Sequence, residues 1–259
     1  MGTLILWLGW LLFNGGSSLK IVGADGQSAS IAMMNTIIAP SAAGLVTFAI
    51  EQRLGGNQNI RYNFSALTNG ILAGLVSVTA GCNDYEPWAA AVVGAIGSLV
   101  YIGSTRFIAK IKVDDPLEAT QVHGFCGCWG VIAVAFFAKD KGIFYGAAGA
   151  GKLLGVQCIG CISIIAWVIV TCGLFFYISM SNGYLRLKEG DEILGGDIHY
   201  FGPLEFTGNL YQYDVEEGWA KKLGDGKDNA NLLNVNINAS PKRARERDDD
   251  DNGIEMVGR

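Results

Sequence analysis

Charge is what this sequence has least of. Asp, Glu, Lys and Arg together make up 17% of the 259 residues, against 50% hydrophobic residues. Soluble domains carry about 25% charged residues, and the few charges here are unevenly spread. Through Met180 there are eight acidic and nine basic residues, so 16 of the 24 acidic residues lie beyond that point. The first 180 residues are thus near neutral, and the net charge of −5 says little about partners. No P-loop, G-x-S-x-G or H-E-x-x-H motif occurs, so no metal, phosphate or nucleophile chemistry of a soluble enzyme is indicated. Nothing marks a nucleic-acid surface, a cofactor site or an enzyme. The start lacks a positive n-region and an A-x-A site, so no cleaved signal peptide is expected.

What is present is long apolar runs. A helix needs ~20 mostly apolar residues to cross a bilayer. Windows at Gly2–Ser18, Ala29–Ile50, Leu67–Ala80, Pro87–Ile108, Ala119–Ala138 and Leu153–Ser179 predict six spans, the third being short and Gly-rich. The fold class is therefore all-α, a polytopic membrane helix bundle in contact with lipid. Glycine is abundant, at 36 copies, and "NGILAGLVSVTAG" sets Gly70, Gly74 and Gly81 among small residues that let helix backbones approach. Five of the six cysteines fall in apolar spans, where they act as small buried hydrophobes. Three segments are expected: a membrane domain over 1–181, a cytosolic regulatory segment over 182–218, and a tail over 219–259. That tail is Asn-rich, then basic ("PKRARER"), then acidic ("DDDD"), and is too polar to order itself. With six spans both ends share a side. Arg53, Arg61, Arg106, Lys110, Lys112, Arg186 and Lys188 lie on it, and Lys20, Lys139, Lys141 and Lys152 lie opposite, which predicts a cytosolic C-terminal segment.

Within the fifth run stands His123. A neutral imidazole donates from one nitrogen and accepts at the other, which suits small polar solutes or a proton relay inside a membrane. The competing use is structural, a bond to a neighbouring helix carbonyl. A zinc reading would join His123 and Cys126, three apart on one helix face, to Cys158 and Cys161, but thiolates here lack charge compensation. Asp114 and Asp115 open this span, with Pro116 in a first turn, Asp115 as a cap and Glu118 near the positive helix end. In the first run, Trp10 and Phe13 share a face, and Asn14 to Ser17 break the helix. Phe13 is either packing or an aromatic plug, and Ser17 a hydroxyl at a mouth.

Taken together, these stretches resemble the ammonium transporter (Amt/Mep/Rh) family. "GTLILWLGWLLFNGGSSL", "AMMNTIIAPSAAGL", "NGILAGLVSVTAGC", "VDDPLEATQVHGFCGCWG" and "DEILGGD" are similar, in order, to its motifs, from Gly2 to about Asp197. The resemblance implies ammonium or ammonia as the substrate and a plasma-membrane homotrimer with one narrow pore per subunit. His123 matches one of two touching pore histidines, Phe13 one ring of a paired gate, Ser17 a hydroxyl of the external ammonium site, and Leu6 an apolar pore-lining position. Glu192, Gly195 and Asp197 match residues that dock the tail on a neighbouring subunit. The Thr that follows in plant-like members is absent from "DEILGGDIHYFGP". Family members usually have eleven spans in two inverted halves plus one, and these residues match the second half and the last span. A pore between halves is then expected to need a first half, whether the gene reading is incomplete, the gene split, or the chain a relic. The competing class is a non-conducting ammonium sensor or structural membrane subunit.

Overall fold

The computed structural model describes residues 1–19, 22–23, 26–54 and 64–186. Six α-helices follow one another: α1 Gly2–Gly16, α2 Gly26–Leu54, α3 Phe64–Thr79, α4 Pro87–Lys110, α5 Cys126–Phe137 and α6 Ala150–Ser181. A π-helical turn, Thr120–Phe125, leads into α5, and a 3₁₀ turn, Ile143–Tyr145, precedes α6. Among the described residues there is no strand, only an isolated bridge between Tyr85 and Ala138. Each expected apolar run is helical. α2, α4, α6 and the segment Thr120–Phe137 are long and apolar enough to cross a membrane. α1 and α3, at 15 and 16 residues, are shorter. At ~1.5 Å per residue each falls short of a ~30 Å hydrocarbon core. Met1–Gly173 and Leu174–Arg259 form two compact units. Of the second, the end of α6 and a turn through Arg186 are described.

Small residues bring α2, α3, α4 and α5 to backbone contact. A Cβ on Gly94 of α4 would lie 2.2 Å from the Ala39 carbonyl oxygen of α2, and one on Gly74 of α3 would lie 2.6 Å from Ala43 Cβ. Gly81 differs from the expectation. It sits beyond the end of α3, and it makes room for the ring of Tyr85 in its own turn instead of for another helix. The core these contacts enclose is fine-grained: Ala32, Ala39, Ala89, Ala90, Ala133 and Val93 gather with Val78, Tyr85 and Phe137. With no hydrophobic drive between helices in lipid, close van der Waals contact and interhelical hydrogen bonds supply the attraction.

Those bonds are specific. α2 contains Pro40, which has no N–H to give the carbonyl of Thr36 four residues before it. The indole N–H of Trp7 on α1 donates to that carbonyl at 3.0 Å. The hydroxyl of the same Thr36 accepts the Asn14 amide at 2.9 Å and donates to Ala32 O. On α5, Trp129 Nε1 donates to Val93 O at 3.0 Å and the Cys126 thiol to Gly97 O at 3.4 Å, holding α5 on α4. Asn35 closes the turn between α3 and α4 by donating to the carbonyls of Cys82 and Tyr85, both at 2.8 Å. Burial in this turn pushes the Cys82 thiol up to about 11 and raises the Tyr85 hydroxyl too. At its exposed edge, hydrogen bonds from Trp88 and Tyr145 hold the Glu86 carboxyl below its usual range.

Candidate functional site

His123 is carried by a turn that periodicity does not reveal. After α4 the chain passes through two residues in the left-handed region, Lys112 at φ 59° and Glu118 at φ 54°. Asp115 accepts the N–H of Ala119 at 3.0 Å and of Thr120 at 2.8 Å. Those backbone bonds, Thr120 foremost, hold its carboxyl below the usual range. Regular structure thus starts at Thr120, and Pro116 lies in a preceding turn, not in a first helical turn. Glu118 stands just before that start, as expected, but its carboxylate does not turn to the helix end. Its carboxylate turns to α3 and α4, accepting from Asn69 at 2.7 Å and from the hydroxyl of Tyr101. Its carbonyl accepts Val122 N at 3.0 Å. A left-handed non-glycine residue costs about 1–2 kcal/mol, and these three contacts hold it there. Asp114 is exposed.

The π turn has one consequence for spacing. Gln121 and Val122 point into the bundle, His123, Gly124 and Phe125 are exposed, and Cys126 is fully buried. His123 and Cys126 therefore do not share a face, as a three-residue α-helical spacing predicts. The wider turn swings the imidazole outward while Cys126 meets α4. Among the described residues no His, Cys, Asp and Glu converge in a metal-binding group. Phe125, two residues after His123, meets Phe107 edge to face at 6.2 Å.

On α1 the exposed face carries Leu6, 50% exposed, and Phe13, 61% exposed. Trp10 lies edge to face against Phe13, with centroids 6.5 Å apart and an interplanar angle of 74°. Asn14 and Gly15 do not break the helix, as their composition suggested. They are its buried residues, and it ends at Gly16. Asn14 is tied to Thr36, and its helical N–H needs no other partner. The exposed Ser17 caps the helix and donates its hydroxyl back to Phe13 O at 2.6 Å. Its oxygen keeps its lone pairs, but its proton is engaged.

α1 and the π turn both pack on α3. Among the described residues no hydrogen bond or ring contact joins His123 to Phe13, Leu6 or Ser17. Glu192, Gly195 and Asp197 lie outside the described residues. The residues that organise the site without having been singled out by the sequence are Asn69, Tyr101 and Thr79, whose Oγ1 accepts the Trp10 indole N–H at 2.8 Å. Their signal was weak, since a lone polar residue in an apolar helix is the only trace they leave.

An exposed imidazole and phenylalanine ring on a membrane helix bundle ask what surrounds them in related proteins. A family model described as Ammonium Transporter Family matches residues 1–206. The chain is 40% identical over 218 residues to "Putative ammonium transporter 1 member 5" of Arabidopsis thaliana, covering 76% of this chain and 43% of that protein. It is 38% identical over 245 residues to "Ammonium transporter 1 member 1" of the same plant, covering 86% and 47%. Among solved structures it is similar to "Sensor Amt Protein", with TM-score 0.67 and 32% identity over 77% of this chain and 48% of that one. It is also similar to Mep2 of Saccharomyces cerevisiae, with TM-score 0.64 and 27% identity over 73% and 43%. The chain spans about half the length of the curated relatives it matches. By the match over residues 1–206, this helical membrane chain belongs to the ammonium transporter family.

Proposed function

We propose that these residues form one wall of an ammonia-conducting pore, His123 being its polar station and Phe13 part of its gate. The observation that carries the reading is the placement of His123. An imidazole in a membrane segment is exposed on the bundle surface and, among the described residues, is not bonded to a neighbouring carbonyl; it is presented by a π turn, a device common at functional sites. The wall around the path is apolar, with Leu6 and Phe13 exposed on α1. Such a wall disfavours a hydrated cation. Ammonium differs from potassium in having a removable proton, so an imidazole that hydrogen-bonds neutral ammonia and passes the proton separately provides the discrimination. Ser17 marks the outer mouth. A second half closes the opposite side of the pore, in the manner of inverted-repeat transporters. The complete protein is a homotrimer of the plasma membrane, with residues 182–218 cytosolic and docking through Glu192, Gly195 and Asp197.

The test uses a chimera in which the matched segment of the Arabidopsis Ammonium transporter 1 member 1 is replaced by residues 1–206. In yeast lacking ammonium uptake, His123→Ala is expected to change uptake rate or ammonium-over-potassium preference while the trimer still assembles. Unchanged uptake and preference would remove His123 from the pathway. A second reading, an ammonium sensor, is favoured by the likeness to the structure named as a sensor. It predicts ammonium-dependent tail conformation with no flux through the wild-type chimera.

A further inference from the structure

We propose that Thr79 is a positioning residue for the gate: its hydroxyl fixes the indole of Trp10, and the indole fixes the ring of Phe13. The inference rests on the reading of Phe13 as a gate ring.

Phe13 sits close to the end of α1 and is mostly exposed. Little around it selects a rotamer, and among the described residues its one ring contact is with Trp10. Trp10 in turn reaches across to the last residue of α3, where its N–H donates to Thr79 Oγ1 at 2.8 Å. The hydroxyl proton of Thr79 is already committed to Leu75 O at 2.7 Å. A hydroxyl has one proton and two lone pairs, so Thr79 can meet Trp10 only as an acceptor. The result is a directed chain, indole N–H to threonine oxygen to helix carbonyl. In apolar surroundings an indole N–H without an acceptor is costly, which holds the ring plane in one orientation. The edge-to-face contact then transmits that orientation to Phe13.

The bond is not needed to hold α1 in place. Trp7 and Asn14, on either side of Trp10, tie the helix to Thr36 of α2 at 3.0 and 2.9 Å. Losing the Thr79 acceptor therefore frees a ring and leaves the helix docked. A gate ring free to leave its rotamer admits hydrated cations, so the effect falls on selectivity, not on assembly.

The chimera described above is expressed in oocytes or uptake-deficient yeast, and potassium and ammonium permeation are compared. Thr79→Val keeps the shape and removes the acceptor, and it is expected to raise potassium permeation relative to ammonium by about threefold to tenfold, the range set by one net hydrogen bond. Thr79→Ser is expected to restore wild-type preference. Phe13→Ala separates the two ideas. If Phe13→Ala leaves preference unchanged, the gate reading fails and the inference with it. If Phe13→Ala changes preference and Thr79→Val does not, the gate stands and the positioning role is overturned. Equal effects of Thr79→Val and Thr79→Ser also overturn it. A second measurement needs no flux: in nanodiscs holding residues 1–259, solvent exchange of the Trp10 indole N–H is expected to be about tenfold faster in Thr79→Val than in wild type and Thr79→Ser. Equal exchange in all three overturns the proposal.

Discussion

Asp115 shows how much one side chain settles here. Both of its carboxylate oxygens are used, one accepting from Ala119 N and one from Thr120 N, so it satisfies two of the N–H groups that a helix start leaves unpaired. Asp115→Ala is expected to lower stability by about 1 kcal/mol, the ordinary worth of a cap, read as a fall in the melting temperature in detergent. The pH dependence follows from the direction of its shift. Its folded pKa is depressed, so the unfolded chain binds the proton first. The contribution is complete above about pH 4, the unfolded value, and is lost as pH falls through the folded value. Wild type and Asp115→Ala are therefore expected to differ in melting temperature at pH 7 and to converge in strongly acidic buffer. A difference that persists there would assign the effect to something other than the charge. His123 was legible as a residue, because an imidazole in an apolar run is conspicuous. Its direction was not, because the π turn is held by Glu118, Asn69 and Tyr101, which are brought together from three separate segments.

At the scale of elements, the pairing of Trp7 with Pro40 carries a sharper prediction. A proline inside a membrane helix leaves a carbonyl that lipid cannot satisfy, and the indole of α1 satisfies it. Trp7→Phe is expected to cost about 1–3 kcal/mol, the penalty for a buried acceptor left alone. Pro40→Ala returns an N–H to Thr36 O from within α2, so in that background Trp7→Phe should cost measurably less. A double-mutant cycle by denaturation in detergent measures the coupling, and additive costs would show that the two are independent. Helix existence was legible throughout, because runs of apolar residues have few alternatives. Helix ends were less so. Asn14 and Gly15 read as breakers by composition, yet a bond to Thr36 from another helix keeps Asn14 inside α1. Tertiary partners of that kind leave no local mark in a sequence.

For the whole molecule, the prediction concerns the exposed residues His123, Phe13 and Leu6. Expressed alone in cells without ammonium uptake, residues 1–259 are expected not to restore growth on low ammonium, because only one wall of the proposed pore is present. Co-expression with the first half of a relative should restore it. Saturable uptake by residues 1–259 alone would overturn the two-wall requirement. The family could be read from ordered motifs, whereas the partners proposed for His123 could not, since the chain covers about half of its relatives' length.

The exposure of α6 has a consequence for how the protein is made. In its most apolar window 6% is buried within the bundle, against 44% in each of the other three long segments. Ala150 and Cys161 are the buried residues of α6, and a few others in its first half are half-buried. Asn14 of α1, Asn35 of α2 and Asn69 of α3 find their partners outside their own helices, on Thr36, on the carbonyls of Cys82 and Tyr85, and on Glu118, so each of these helices enters a bilayer alone at a penalty. α6 has no such debt to its neighbours. Released from the ribosome into an insertion channel, it is the segment suited to partition into lipid unaided, while α2 to α5 are suited to partition as a group. Glycosylation reporters flanking single segments are expected to score Ala150–Ser181 as fully inserted and Phe64–Thr79 as poorly inserted unless its neighbours accompany it.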